Sequence, residues 1–244
     1  MKKVIILALS FLMFGYFAQA QNTNTSETKL DLSSRAADHL MFQFGSDAWT
    51  NKPDSVKTSG FSRHFNVYFM YDKPFKKNQH YSVAFGAGLG TSNIFMDDHT
   101  YVNFKTTANT LPFQHLDSAA NHFAKQKVTT FYLQAPVELR YFSDPAHPGK
   151  SWKTAVGLKL GTLLKAYSKA KNYETAGGSS VYGKTYIEKN EDKRFFDATD
   201  VTLTGRVGYG IFSLDMGYQV TGVLRDGFGP VMNKFSFGLT ISGL

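Results

Sequence analysis

From Val201 to Val220 the chain alternates apolar and polar side chains with a period of two, and this pattern limits the fold more than any other feature of the sequence. One row reads Val201, Leu203, Gly205, Val207, Tyr209 and then Phe212, Leu214, Met216, Tyr218, Val220; nine of these ten are apolar or aromatic. The other reads Asp200, Thr202, Thr204, Arg206, Gly208 and then Ser213, Asp215, Gly217, Gln219, Thr221, with no large apolar side chain among them. Successive strand side chains point to opposite faces, so the stretch predicts two antiparallel strands with one greasy and one polar face. A tight turn at Gly210-Ile211 sets Tyr209 opposite Phe212, Val207 opposite Leu214 and Arg206 opposite Asp215.

The same alternation predicts six more strands, over about His39–Ala48, Phe61–Asp72, His80–Phe95, Val128–Phe142, Ser151–Tyr167 and Asn233–Leu244. The total of eight is even. The connections after the second, fourth and sixth strands are short, while 97–127 and 168–193 are long and polar. The last loop, 225–231, is short where a long one belongs. This alternation is that of bacterial outer-membrane barrels, with short periplasmic turns and longer extracellular loops.

The first twenty residues stand apart. Lys2-Lys3, the apolar run Val4–Phe17 and Ala18-Gln19-Ala20 have the layout of a secretory signal peptide, with cleavage expected after Ala20. Residues 21–37 are polar and aperiodic, a flexible leader, and 38–244 is the folded domain. Beyond residue 20 no apolar run approaches the ~20 residues that a spanning helix needs. A mature chain that crosses a membrane must therefore do so as a closed barrel, its backbone polar groups paired between strands.

Composition narrows the partners. The formal net charge is +8 from 27 basic and 19 acidic residues. For an exported protein the natural counter-charge is the anionic headgroup of outer-membrane lipid or lipopolysaccharide; no nucleic acid is expected. The absence of cysteine excludes a disulfide framework and any Cys-based zinc site, and no cofactor is expected. Aromatics at 15% suit strands and interfacial belts. Flanking the short turns on the apolar face are Tyr71 and Tyr81, Tyr141 and Trp152, and Tyr209 and Phe212, expected as opposed pairs in one aromatic girdle. A soluble lipocalin-type barrel would need the apolar rows inside and the row Gly86, Gly88, Gly90 facing water, where strand glycines only destabilise.

Three stretches then carry a resemblance: FYLQAPVELRYF (131–142), WKTAVGLKLGTLLKA (152–166) and VTLTGRVGYGIFSLDMGYQVTGVLRD (201–226), with the closing NKFSFGLTISGL. The chain resembles the PorT-like outer-membrane β-barrel proteins of Bacteroidota over most of 38–244. The fourth strand with its internal proline, the glycine-bearing fifth strand and the closing hairpin carry it. The resemblance implies an eight-stranded antiparallel up-and-down transmembrane barrel in the cell envelope. The family's named member is linked to type IX secretion, and the resemblance leaves that role unassigned here. Leu244, after Gly243, departs from a terminal aromatic.

An eight-stranded barrel is just wide enough for side chains to fill its interior. The polar rows place Glu138, Arg140, Lys153, Lys159, Arg206 and Asp215 in that lumen. Buried charges need partners, so a salt-bridged plug is expected. Arg206 would pair with Asp215. Arg140 is expected opposite Lys153, with Glu138 bridging to one of them, and the third-strand glycines leaving room for long cationic side chains. A narrow passive channel is the alternative. The remaining alternative, a lipid-modifying enzyme, has only Asp97-Asp98-His99 as an acid–His cluster and no partner motif. GAGLG at 86–90 lies within a strand with no helix after it, so it is no nucleotide loop.

Function is expected in loops 97–127 and 168–193, because loops on a rigid scaffold carry recognition. The first holds Tyr101, Phe104, Phe113 and Phe123; the second holds Lys169, Lys171, Lys184, Lys189 and Lys193. The sequence therefore predicts a non-enzymatic outer-membrane barrel. Its role would be envelope structure, surface interaction or an accessory function such as secretion, with a protein partner at these loops.

Overall fold

The computed structural model describes residues 39–97, 99–117 and 119–243. The expected signal peptide and leader, Asp98 and the C-terminal Leu244 lie outside them. Among the described residues there are eleven strands and no α-helix: β1 (Leu40–Thr50), β2 (Arg63–Pro74), β3 (Tyr81–Phe95), β4 (Thr100–Val102), β5 (Phe113–His115), β6 (His122–Phe142), β7 (Trp152–Glu174), β8 (Ile187–Glu191), β9 (Thr199–Tyr209), β10 (Phe212–Gln219) and β11 (Asn233–Ser242). Eight of them close a barrel in the order β1–β2–β3–β6–β7–β9–β10–β11, each antiparallel to its neighbours, and β11 returns to β1. Of the other three, β4 and β5 pair with each other and β8 pairs with the outer part of β7.

The opening hairpin has the register its turn dictates: Tyr209 lies opposite Phe212, Val207 opposite Leu214 and Arg206 opposite Asp215. Gly210 takes φ 59°, the left-handed value that a two-residue hairpin turn requires at its first central position. Val207 and Leu214 are 44% and 47% exposed, whereas Arg206 and Asp215 are 6% exposed. The apolar rows face out and the polar rows face in, the reverse of what a lipocalin-type barrel needs.

Two irregularities shape the wall. Pro136 lacks an N–H, and the β3–β6 ladder skips from Phe85↔Val137 to Gly88↔Gln134 around it. In β7 the register shifts by one residue. Phe131 pairs with Lys165 and Tyr132 with Leu163, so Leu164 is an extra residue in a β-bulge. Because strand faces alternate, one inserted residue inverts every face beyond it. Ala166, Ser168 and Ala170 are therefore buried inward, and Lys165, Tyr167, Lys169 and Lys171 face outward.

The third-strand glycines do face in, but long cations do not occupy the space they leave. A Cβ on Gly86 would meet Met70 Sδ, and one on Gly90 would meet Gln134 Oε1. At Gly88 it would lie 2.0 Å from the Val67 carbonyl oxygen, a backbone clash that only glycine avoids.

The two long polar stretches contain more sheet than the alternation revealed. β6 and β7 run well past the barrel wall into residues expected as loop, and β4, β5 and β8 are built from the remainder. The last loop spans residues 220–232, because β10 ends at Gln219; all four loops at that end are therefore longer than the three turns at the other. In the 143–151 turn, Asp144 accepts from the backbone N–H of Ala146 and of His147, at 2.9 and 3.3 Å. The hydrogen bond between Asp144 and the His147 ring holds this exposed carboxyl below the usual carboxylate range.

Candidate functional site

The barrel interior is layered. At the short-turn end Glu138 Oε2 accepts from Arg140 Nε and from Arg206 Nη2, both at 2.8 Å. Arg140 also approaches Asp72 at 3.8 Å, and Ser242 Oγ accepts from Lys153 Nζ at 2.9 Å and Arg206 Nη1 at 3.0 Å. Two expectations are corrected here. Arg140 lies opposite Ala155, and Lys153 opposite Phe142, because the register across the 143–151 turn is displaced by two residues from the expected pairing. Arg206 faces Asp215 in register, yet its guanidinium crosses to Glu138, and Asp215 Oδ2 instead accepts from Thr240 Oγ1 at 2.8 Å. A carboxylate set between two guanidinium groups outcompetes a single cross-strand neighbour.

The middle layer is a chain of hydrogen bonds. Tyr68 donates to Gln134 Oε1 at 2.6 Å, Gln134 Nε2 to Asp200 Oδ2 at 2.7 Å, and Thr202 to Asp200 Oδ1 at 2.6 Å. Gln43 Nε2 donates to Thr240 at 2.9 Å, and Lys159 Nζ reaches Gln43 at 3.4 Å while lying 5.7 Å from the Tyr68 ring centre. Above it Asp47 joins His64 at 2.7 Å and also accepts from Ser92. Nothing in the sequence sets Asp47 and His64 apart, although both lie on inward rows.

Towards the long loops the interior becomes apolar, which the sequence did not announce. Inward residues of the walls (Trp49, Ile94, Val128, Leu163) pack against loop residues Val56, Val102, Phe104, Leu111, Phe195, Phe196, Leu224 and Met232 in one buried cluster. Phe113 packs on its edge, with its ring 6.2 Å from Trp49. Two small cavities lie among these interior layers, of about 10 and 20 Å³, the larger lined in part by Asp47, His64, Gln134 and Lys159. The larger is about the size of one water.

On the outside at the short-turn end, Tyr71, Tyr81, Tyr141, Trp152, Tyr209 and Phe212 are all exposed. Only Tyr209 and Phe212 oppose each other within their own hairpin. The other two expected pairs are corrected: Tyr71 lies opposite Phe85, Tyr81 opposite Tyr141, and Trp152 opposite Tyr209. The rings meet across neighbouring hairpins, Tyr81–Tyr141 at 5.2 Å and Trp152–Tyr209 at 5.8 Å. Above them the outward row of β6 runs ten residues, from Tyr141 to Phe131. At ~3.3 Å per residue and ~40° of tilt this spans ~25 Å, the height of a lipid-facing apolar band.

At the opposite end the loops singled out for recognition come together. Tyr101, Gln114, Leu116, Asn121 and Phe123 of the first, with Tyr173, Tyr182, Tyr186 and Glu188 of the second, line an open cleft of about 450 Å³. Its rings form a continuous set: Tyr101 stacks on Phe123 (5.9 Å), Phe123 meets Tyr173 (4.9 Å), and Tyr182 meets both Tyr173 (5.9 Å) and Tyr186 (5.0 Å). Burial and then the nearby Glu188 carboxylate push the Tyr101 phenol up, so it stays a neutral donor. Of the four aromatics expected in the first loop, Tyr101 and Phe123 line the cleft and Phe104 is buried in the apolar cluster with Phe113 on its edge. The lysines separate too. Lys169 and Lys171 lie on the outer wall, and Lys189 covers the Tyr167 ring at 4.4 Å. Lys184 and Lys193 are solvent-exposed.

His99 stacks on His122 at 5.1 Å and lies 6.3 Å from His115, while Asp98 falls outside the described residues. Among the described residues no three His, Cys, Asp or Glu side chains form a group that could hold a metal ion.

Comparison with known proteins bears on this arrangement. No curated protein matches the sequence. Among solved structures the chain is similar to Ail, the attachment invasion locus protein of Yersinia pestis, determined in complex with the heparin analogue sucrose octasulfate. The match has 12% identity, covers 83% of this chain and 96% of that one, and has a TM-score of 0.35. The family model described as an outer membrane protein beta-barrel domain matches residues 17–240. With its closed eight-stranded wall and outward apolar rows, the chain belongs to the outer membrane protein beta-barrel domain family and is an integral barrel of the outer membrane.

Proposed function

We propose that this barrel is a non-enzymatic surface-recognition protein of the PorT-like group of Bacteroidota, closed to ion flow, that takes a protein partner in the aromatic cleft between its two long loops. The observation that carries the reading is the convergence of loops 97–127 and 168–193 on one cleft lined by five aromatic rings. Tyrosines at such a site offer large rigid contact area at low entropic cost, with a hydroxyl for orientation. Glu188, Gln114 and Asn121 add polar groups at its margin. The long-loop end faces the exterior and the short turns face the periplasm, in keeping with loop lengths in such barrels. Export follows from a signal peptide cleaved after Ala20, so the mature chain begins at Gln21. The lumen is plugged by the Glu138, Arg140 and Arg206 set below and the apolar cluster above, which supports a binding role over a channel.

A photo-crosslinking amino acid at Tyr182, introduced in intact cells, tests the reading. A discrete adduct is expected from Tyr182, lost on Tyr186→Ala, and none from a control position at Tyr218 in the lipid-facing row. Equal labelling from both positions, or none from Tyr182, rejects the cleft as the recognition site. The identity of the captured protein decides whether the role is accessory to secretion.

A further inference from the structure

On the outward face, just beyond the apolar belt, five cations share one cleft. Arg63 of β2, Lys125 and Lys127 of β6, and Lys169 and Lys171 of β7 line a space of about 250 Å³ around the ring of Phe95. The Arg63 guanidinium lies 5.3 Å from the centre of that ring and Lys127 Nζ 6.0 Å. Lys127 also donates to Asn93 Oδ1 at 2.7 Å. Two lysine pairs are directly cross-strand, Lys125 with Lys171 and Lys127 with Lys169. Like charges opposite each other destabilise a strand pair, and here it happens twice on one ladder.

Neighbouring lysines are neutralised: Lys165 by Glu191 at 2.7 Å and Lys105 by Glu188 at 3.3 Å. Among the described residues no carboxylate pairs with any of the five. The bulge at Leu164 makes the arrangement possible. Without that extra residue Lys169 and Lys171 would point into the barrel, and Ala170 would face out. The depth is informative as well. Lys127 lies four residues past Phe131, ~10 Å above the end of the apolar row along the barrel axis, at headgroup level. Directly below the cations the wall presents Phe65, Leu133 and Leu164, all exposed.

We propose that this cleft binds the phosphate groups of an anionic glycolipid in the outer leaflet, with the acyl chains lying down the apolar wall beneath it. The inference rests on the reading that the long-loop end faces outward. Phosphate oxygens would accept charge-assisted hydrogen bonds from the Arg63 fork and the lysine ammoniums, relieving the repulsion across β6 and β7. The apolar row beneath argues for a lipid-borne phosphate over a free one, which would leave that surface unused.

Native mass spectrometry of the full mature barrel in detergent, offered bis-phosphorylated lipid A or the same lipid after phosphatase treatment, tests it. The wild type is expected to retain the phosphorylated lipid at least about ten-fold better than the dephosphorylated one. Lys125→Gln/Lys127→Gln/Lys169→Gln/Lys171→Gln should lose that preference while still migrating as a heat-modifiable folded barrel. Lys184→Gln/Lys193→Gln, which removes exposed lysines outside the cleft, should keep it. Inorganic phosphate in excess should not displace the lipid; displacement would mean a site for free phosphate and overturn the lipid assignment. Equal retention by wild type and the quadruple variant, or equal binding of both lipids, overturns the site altogether. Labelling of a Lys184→Cys variant on intact cells with an impermeant maleimide reads orientation separately. Labelling without lipid preference defeats this inference alone, whereas no labelling defeats the orientation.

Discussion

The Arg206 guanidinium donates to Glu138 Oε2 at 2.8 Å across the barrel interior, from β9 to β6 over the strand between them. Arg140 donates to the same oxygen, so one carboxylate serves two buried cations. Taking one partner from such a set costs ~3–5 kcal/mol, because a buried charge is left uncompensated. Glu138→Gln is expected to lower the unfolding free energy of the detergent-solubilised barrel by about that amount in urea titration. Glu138→Gln/Arg206→Met should recover part of the loss. An unchanged midpoint for the single variant would contradict the arrangement.

Among the described residues the two cavities of the interior layers measure about 10 and 20 Å³, and the proposed plug of the lumen leaves no path for ions. Purified barrel in a planar bilayer is expected to give no steady unitary current. Reproducible stepwise conductance from the wild type would restore the channel alternative.

Phe195 is fully buried in the cluster beneath the loops. Removing a buried phenyl ring costs ~3–5 kcal/mol. Phe195→Ser should loosen the cap and speed trypsin cleavage after Arg194, which is exposed but held in the folded loop, with the barrel remaining resistant. Cleavage no faster than in the wild type would show that the cluster does not hold the loop down.

The inverted faces beyond Leu164 can be read chemically, since the chain has no cysteine of its own. Lys169→Cys is expected to react with a water-soluble maleimide, and Ala170→Cys to be protected. The opposite order would remove the bulge.

A side chain at position 88 would meet backbone on β2. Gly88→Val should therefore sharply reduce the yield of heat-modifiable barrel, whereas Gly205→Ala, where an added Cβ comes no nearer than 3.4 Å to the flexible Met216 side chain, should fold normally. Equal yields would place β2 and β3 further apart.

The wall was legible because a two-residue period is a local property: Val207 and Arg206 declare opposite faces without reference to any other strand. Register across a short turn was less so. Tyr209 found Phe212 because a two-residue turn fixes the pairing, but Tyr141 missed Trp152 because 143–151 allows several. Adjacency in the sequence pairs Arg206 with Asp215, whereas Glu138 comes within its range only because β6, β7 and β9 lie side by side with Gly157 between them. The apolar cluster was invisible for a related reason. Val102, Phe104, Phe195 and Leu224 are scattered singly through polar loops, and nothing periodic links them before the chain is folded. Of the cleft rings, Tyr101 and Phe123 stand out in the sequence of the first loop, whereas Tyr173, Tyr182 and Tyr186 of the second are hidden among its lysines.

β6 and β7 keep their pairing far beyond the hydrocarbon: His122 still faces Glu174, nine residues past Phe131. At ~3.3 Å per residue and ~40° of tilt that is a rigid stalk of ~23 Å. On the proposed orientation, the tyrosines at its tip are carried clear of the inner sugars of the lipid layer, and a bulky object on the far side of that coat can touch them without the membrane having to bend or the ribbon to unfold.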